Sequence, residues 1–166
     1  MLITSITDAV AKAVQDVMPC TVGASRGKAE GVAECRRVIK DGHAWNRWQL
    51  DIEEVNKYPA EGPADPEFDV LALKALDGKF KAVVYNFACH AANNSRSPAI
   101  SADYPGDVEL FVQKELGYPV TTFFLTGACG DINPIYSVRR DLFEQKLGGE
   151  ILRCLDGLEP IAEPSI

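Results

Sequence analysis

Two apolar, β-forming runs, Phe68–Leu76 and Phe80–Cys89, stand on either side of Asp77-Gly78. That arrangement constrains the chain more than any other, because Asp-Gly between two such runs is the strongest local signal for a tight antiparallel hairpin. Val83–Ala88 is almost wholly apolar, as expected of a strand covered on both faces. Further on, Val120–Leu125 is a second β-branched and aromatic run, and it feeds directly into Gly127-Ala-Cys-Gly-Asp-Ile-Asn-Pro134.

Helical spacing surrounds these strands. Ile6, Val10, Ala13, Val14 and Val17 follow Ser5-Ile-Thr-Asp8, which has the form of a capped helix start, and Pro19 ends the segment. Cys20–Ala24 reads as a short strand before a Gly27–Gly31 loop. Val108–Leu116 has helical periodicity stopped by Gly117, and a last helix is expected over Arg139–Leu155. Residues 34–66 hold Trp45, Trp48, His43 and a Pro/Gly cluster without sustained periodicity, and are expected to be a long irregular segment. The order α, β, loop, β-hairpin, α, β, α predicts an α/β fold with a mixed sheet and flanking helices, the whole chain forming one domain or part of one.

The chain has 166 residues, 46% apolar and 25% charged, which suits a soluble globular domain with a proper core. The net charge of −7 and pI near 4.8 argue against nucleic acid, which demands a basic face. Arg36–Arg37 and Arg139–Arg140 are the basic pairs, read as solvated surface or helix termini. No run of about 18 apolar residues exists for a membrane span, and Met1–Val17 lacks the pattern of a signal peptide. Cys20, Cys35, Cys89, Cys129 and Cys154 are odd in number with no C-x-x-C spacing, a poor disulfide or structural zinc framework. Reduced thiols and a cytoplasmic location are therefore expected.

His90 directly follows one apolar strand and Gly127–Pro134 the other. If those strands are parallel neighbours, His90 and Asp131 share the carboxyl edge of the sheet, where ligands collect in α/β folds. His90 is open to two readings: a strand-end imidazole bonded to backbone, or a ligand. The glycine-rich loop is equally open, as a plain turn stabilised by Asp131 or as amides facing an anion or developing oxyanion.

Taken in order, Asn86-Phe-Ala-Cys-His90, Ile100-Ser-Ala-Asp-Tyr-Pro-Gly106 and Leu125-Thr-Gly-Ala-Cys-Gly-Asp-Ile-Asn-Pro134 resemble the neutral/alkaline ceramidase superfamily. Gly62-Pro-Ala-Asp-Pro66 and Cys35-Arg36-Arg37 resemble further segments of bacterial members, so that residues 30–137 are covered. The resemblance implies a piece of a larger catalytic domain that hydrolyses N-acyl amides of lipid-like substrates with a zinc-bound water. It implies His90 as the second of two zinc histidines, with the first histidine, a glutamate and a tyrosine falling outside this chain. Asn133 stands where ceramidases carry a catalytic serine; an amide can orient or polarise a substrate but is no nucleophile. The resemblance also implies Asp131 beside Asn133 in the catalytic segment, and Gly127, Ala128, Cys129 and Gly130 as a substrate or oxyanion loop. Asp103 and Arg36 are implied as supporting residues, Asp103 also standing where it could cap the next helix. His43 matches nothing in the family pattern.

Three functions compete: a zinc amidase of which this chain is an incomplete part, inert alone and completed by the rest of its parent or by another copy; a non-catalytic module binding small anions or a partner through the loop; and a thiol hydrolase built on Cys129 with His90. Cys89 is a poor partner for His90, because adjacent strand residues face opposite ways.

Overall fold

A computed structural model describes residues 2–93, 99–135 and 140–162. Helix α1 (Leu2–Gln15) leads into β1 (Cys20–Lys28), followed by three short strands, β2 (Ala33–Cys35), β3 (Arg37–Lys40) and β4 (His43–Asn46). After a 3-10 turn at Arg47–Gln49 come α2 (Ile52–Lys57), β5 (Glu67–Ala75), β6 (Phe80–Phe87), α3 (Asp103–Leu116), β7 (Thr121–Thr126), β8 (Ile132–Pro134), α4 (Arg140–Asp156) and β9 (Glu159–Pro160). The main sheet has the order β7-β6-β5-β1-β9. β6 and β7 run parallel while the other neighbours run antiparallel, so the sheet is mixed and the fold is α/β.

The Asp-Gly hairpin is where the sequence puts it. Gly78 takes φ +84, a region that costs glycine little, and the turn closes through Gly78 N–H to Ala75 O at 2.9 Å and Lys79 N–H to the Asp77 carboxylate at 3.0 Å. Along β5, Phe68, Val70 and Ala72 are buried while Asp69 and Leu71 are exposed. Val83, Tyr85 and Phe87 continue that inner face across β6. Against them pack Val108 and Val112 of α3 and Phe143, Leu147 and Ile151 of α4. Tyr104 and Phe143 meet ring to ring at 4.6 Å, and Phe124 of β7 lies 5.4 Å from Tyr104.

Four local expectations are corrected. Val83–Ala88 is covered on one face only, since Val84 is half-buried and Asn86 exposed. Residues 34–66 are not irregular: β3 and β4 form a small hairpin, β2 pairs with β8, and Asp51 caps α2 by accepting from Glu54 N–H at 2.9 Å. These elements are too short to show a period, and β2 finds its partner only about a hundred residues further along the chain. β1 runs through Gly27 to Lys28, because Gly27 is pressed against the Phe68 ring and Cys154, leaving no room for a side chain. Helix α1 starts at Leu2, which puts Ser5 inside it rather than at its cap.

Candidate functional site

Parallel pairing of β6 and β7 brings their carboxyl ends together. The polypeptide beyond β6 carries His90, and the polypeptide beyond β7 carries the loop into β8. Gly127 seals the junction. Its N–H donates to Phe87 O at 3.0 Å, and a Cβ there would lie 3.0 Å from Ala88 N and 3.1 Å from Ala88 Cα. Gly130 has nothing within 4 Å of the same position. The first glycine is thus required by packing and the second is not.

His90 is held twice by one carbonyl. Its backbone N–H donates to Ile132 O at 3.1 Å, and its Nδ1 lies 3.0 Å from the same oxygen. A carbonyl can only accept, so Nδ1 carries the proton and the Nε2 lone pair is left for another group. Metal-bound histidines are oriented by such backbone contacts. His90 is thus bonded to backbone, as the first reading expects, with its other ring nitrogen outside that contact.

The polypeptide after His90 is anchored from α3. Tyr104 is buried and its hydroxyl donates to Cys89 O at 2.9 Å. Asp103 adopts φ +54, a left-handed conformation that is costly for a non-glycine residue. Its Oδ1 accepts from Asn93 N–H at 2.9 Å and Tyr104 N–H at 2.8 Å, and its own N–H donates to Ser101 Oγ. Asp103 thus fastens the segment after His90 onto the start of α3. The expectation that it caps the helix is corrected in detail: Ala102 is the capping position and makes no side-chain cap bond.

On the other side, Asp131 and Asn133 meet β2. Asp131 O accepts from Arg36 N–H at 2.7 Å, and the Asp131 carboxylate receives the Cys35 thiol at 3.6 Å with Arg37 Nε 4.0 Å away. Arg37 is exposed and pairs chiefly with Glu61 at 2.8 Å. Arg36, by contrast, is half-buried with its guanidinium 5.2 Å over the Trp48 ring, so it is not solvated surface; Arg139 lies outside the described residues. Asn133 stands opposite Glu34 in the β2–β8 ladder. Glu34 faces Arg47 at 3.2 Å, poorly aligned for a hydrogen bond, with both side chains about one-fifth exposed. Burial raises the Glu34 carboxyl above its usual range and Arg47 opposes that shift. Glu34, Arg47, Cys35 and Tyr104 are absent from the sequence-derived site. Cys35 and Tyr104 lie within quoted segments without having been singled out, while nothing local marks Glu34 and Arg47; β2 pairing with β8 and α3 packing on β6 bring them in.

Arg36 Nε, Asn93 Nδ2 and Asn133 Oδ1 are buried without hydrogen-bond partners among the described residues. The loop itself is partly spent: Gly127 N–H is used on Phe87 O, and Ile132 N–H on Cys129 O at 2.9 Å. Ala128 is exposed and Cys129 buried. Cys89 is fully buried and its thiol is pushed far above the ordinary range by that burial, the opposite of what a nucleophile needs. His43 sits at the tip of the β3–β4 hairpin, outside the main sheet.

The donor set does not by itself make a zinc site. His90 offers one nitrogen, catalytic zinc takes about three protein ligands, and no group of three His, Cys, Asp or Glu side chains converges among the described residues. No described helix is long and apolar enough to cross a membrane.

Neither a family model nor a curated protein matches the chain. The fold does have counterparts among solved structures. They share its α/β fold over a segment of their own length. The neutral ceramidase from Pseudomonas aeruginosa superposes with a TM-score of 0.67 at 12% identity, over 91% of this chain and 25% of that one. A ceramidase complexed with C2 superposes with a TM-score of 0.64 at 13% identity, over 88% of this chain and 24% of that one. The chain spans about a quarter of each.

Proposed function

We propose that this chain is the His90-bearing part of a ceramidase-like hydrolase of N-acyl amide bonds, inert without the rest of its catalytic domain. The observation that carries this is His90 just beyond β6, its Nδ1–H fixed on Ile132 O so that Nε2 is left outside that contact, within a fold that superposes on a quarter of a neutral ceramidase. His90 supplies one ligand to a zinc ion whose remaining ligands come from outside this chain. When bound, such an ion supplies Lewis acidity and an activated water. The residues here bind and orient: Arg36 and Asn133 direct polar groups at the substrate amide, and Gly127–Gly130 shape the floor beside it. Asp131, held by Arg36 N–H and Cys35, keeps that loop in register with β2. Arg36 Nε, Asn93 Nδ2 and Asn133 Oδ1, three of the five buried side-chain atoms without partners among the described residues, support incompleteness, since buried polar groups in finished structures are almost always paired.

Zinc titration followed by NMR of the imidazoles tests the reading. Weak binding is expected, with His90 Nε2 shifting, Nδ1–H retained, His43 unmoved and no turnover of a fluorogenic N-acyl amide. Stoichiometric zinc surviving dialysis, or measurable hydrolysis, refutes the incompleteness. A response confined to His43 removes His90 as a ligand.

A further inference from the structure

His90 lies outside every strand and helix. β6 ends at Phe87, and the chain goes on through two three-residue turns, closed by Cys89 N–H on Phe87 O at 3.0 Å and Ala92 N–H on His90 O at 2.9 Å. Such turns are common where a strand ends, and each fixes little beyond its central residue. The direction of the imidazole therefore depends on what grips the chain from outside. One grip is Ile132 O, which takes both the backbone and the ring of His90. The other comes from two adjacent residues of α3. Tyr104 Oη reaches Cys89 O, just before His90, and Asp103 Oδ1 takes Asn93 N–H, just after it. Cys89–Asn93 is thus pinned at both ends.

This second grip is rooted in the core. Tyr104 is buried, its ring 4.6 Å from Phe143 of α4 and 5.4 Å from Phe124 of β7. At φ +54 the Asp103 carboxylate folds back over the start of α3, where Oδ1 takes the Asn93 and Tyr104 amides together. Asp and Asn enter this backbone region more readily than other non-glycine residues. The same bend accounts for Gly106, where a Cβ would stand 2.7 Å from the Ala102 Cβ. Each of these bonds has both its ends within the chain, so the clamp does not wait for the rest of a catalytic domain. We infer that Asp103 is a positioning residue for His90: by holding Asn93 it fixes the turn that keeps Nδ1–H on Ile132 O, and so sets where Nε2 points. For chemistry this rests on His90 as the zinc ligand proposed above; for the direction of the ring it does not.

NMR of the imidazole nitrogens in the full chain is the test, with Asp103→Asn and Asp103→Gly. Asparagine keeps the acceptor and tolerates the left-handed backbone, whereas glycine keeps the backbone and loses the acceptor. In wild type and Asp103→Asn, His90 is expected as the Nδ1–H tautomer with that proton slow to exchange. In Asp103→Gly the Nε2–H tautomer is expected to become populated and Nδ1–H to exchange roughly fivefold to tenfold faster, the equilibrium weight of one lost hydrogen bond, with His43 unchanged. Tyr118→Phe is the control: it removes the hydroxyl that accepts from Phe80 N–H at 3.1 Å, at the opposite end of β6. Loosening of the His90 ring in Asp103→Gly alone bears the inference out. Equal loosening in Tyr118→Phe reflects stability only and overturns it, as does an Asp103→Asn ring as loose as that of Asp103→Gly, or a firm ring in Asp103→Gly. Zinc titration of the same samples separates the two readings. Where zinc meets His90, Asp103→Gly is expected to weaken it about tenfold, and equal affinity overturns the positioning role. A ring loosened by Asp103→Gly in a chain whose His90 never meets zinc removes the proposed ligand and upholds the positioning.

Discussion

Replacing Gly127 by alanine puts a methyl group 3.0 Å from Ala88 N, 3.1 Å from Ala88 Cα and 3.1 Å from Asn86 Oδ1. The Asn86 side chain is exposed and can turn away, but the Ala88 backbone is the end of β6 and cannot. Relief must come from parting the β6 and β7 termini, which stretches the Gly127 N–H bond to Phe87 O. Overpacking of this kind costs about 1–3 kcal/mol. For a domain of this size 1 kcal/mol lowers Tm by about 2–4 °C, so a mid-range cost lowers it by about 4–8 °C. Gly130→Ala is the control. It meets nothing within 4 Å, its φ is not positive, and alanine there is neutral or stabilises by up to about 1 kcal/mol through the unfolded state. Calorimetry on both variants decides the matter. A Gly127→Ala protein that melts with wild type, or a pair of variants equally destabilised, refutes the close approach of the two strand ends.

Tyr104→Phe removes the donor to buried Cys89 O and is expected to lose about 1–3 kcal/mol in urea unfolding; an unchanged midpoint denies that anchor. Glu34 is raised above its ordinary pKa of 4.5 by burial, so its contribution is greatest below that pH and is lost as pH rises through the higher folded value. Tm of wild type is therefore expected to fall relative to Glu34→Gln on going from pH 4.5 upward, and parallel profiles contradict the burial effect. Under native conditions iodoacetamide is expected to label Cys20, which is half-buried, well before Cys35, Cys89, Cys129 and Cys154, which are buried. Rapid labelling of Cys129 in mass spectra revives the thiol reading.

The hairpin, strand β7 and helices α3 and α4 are readable from the chain because their signals are local. Each is a run long enough to show its own period, bounded by its own turn residues, as in Phe68–Phe87 around Asp77-Gly78. His90 and Asp131 are legible for the same reason, each following an apolar strand, and parallel pairing of those strands places both at one edge. The short strands β2, β3, β4 and β8 are not legible by period, since three or four residues carry none; β2 and β8 find each other only across a long stretch of chain, while β3 and β4 turn directly at Asp41-Gly42.

Which residues surround His90 was decided in three dimensions. Glu34 faces Asn133 only because β2 pairs with β8. Arg36 leaves the surface only because Trp48 lies beneath its guanidinium. Asp103 takes a left-handed backbone only because both Asn93 and Tyr104 amides point at its carboxylate. Composition and spacing carry the kinds of residue and the order of the elements; the directions of Nδ1 and Nε2 on His90 come from one carbonyl, Ile132, that lies 42 residues away along the chain and 3.0 Å away in space.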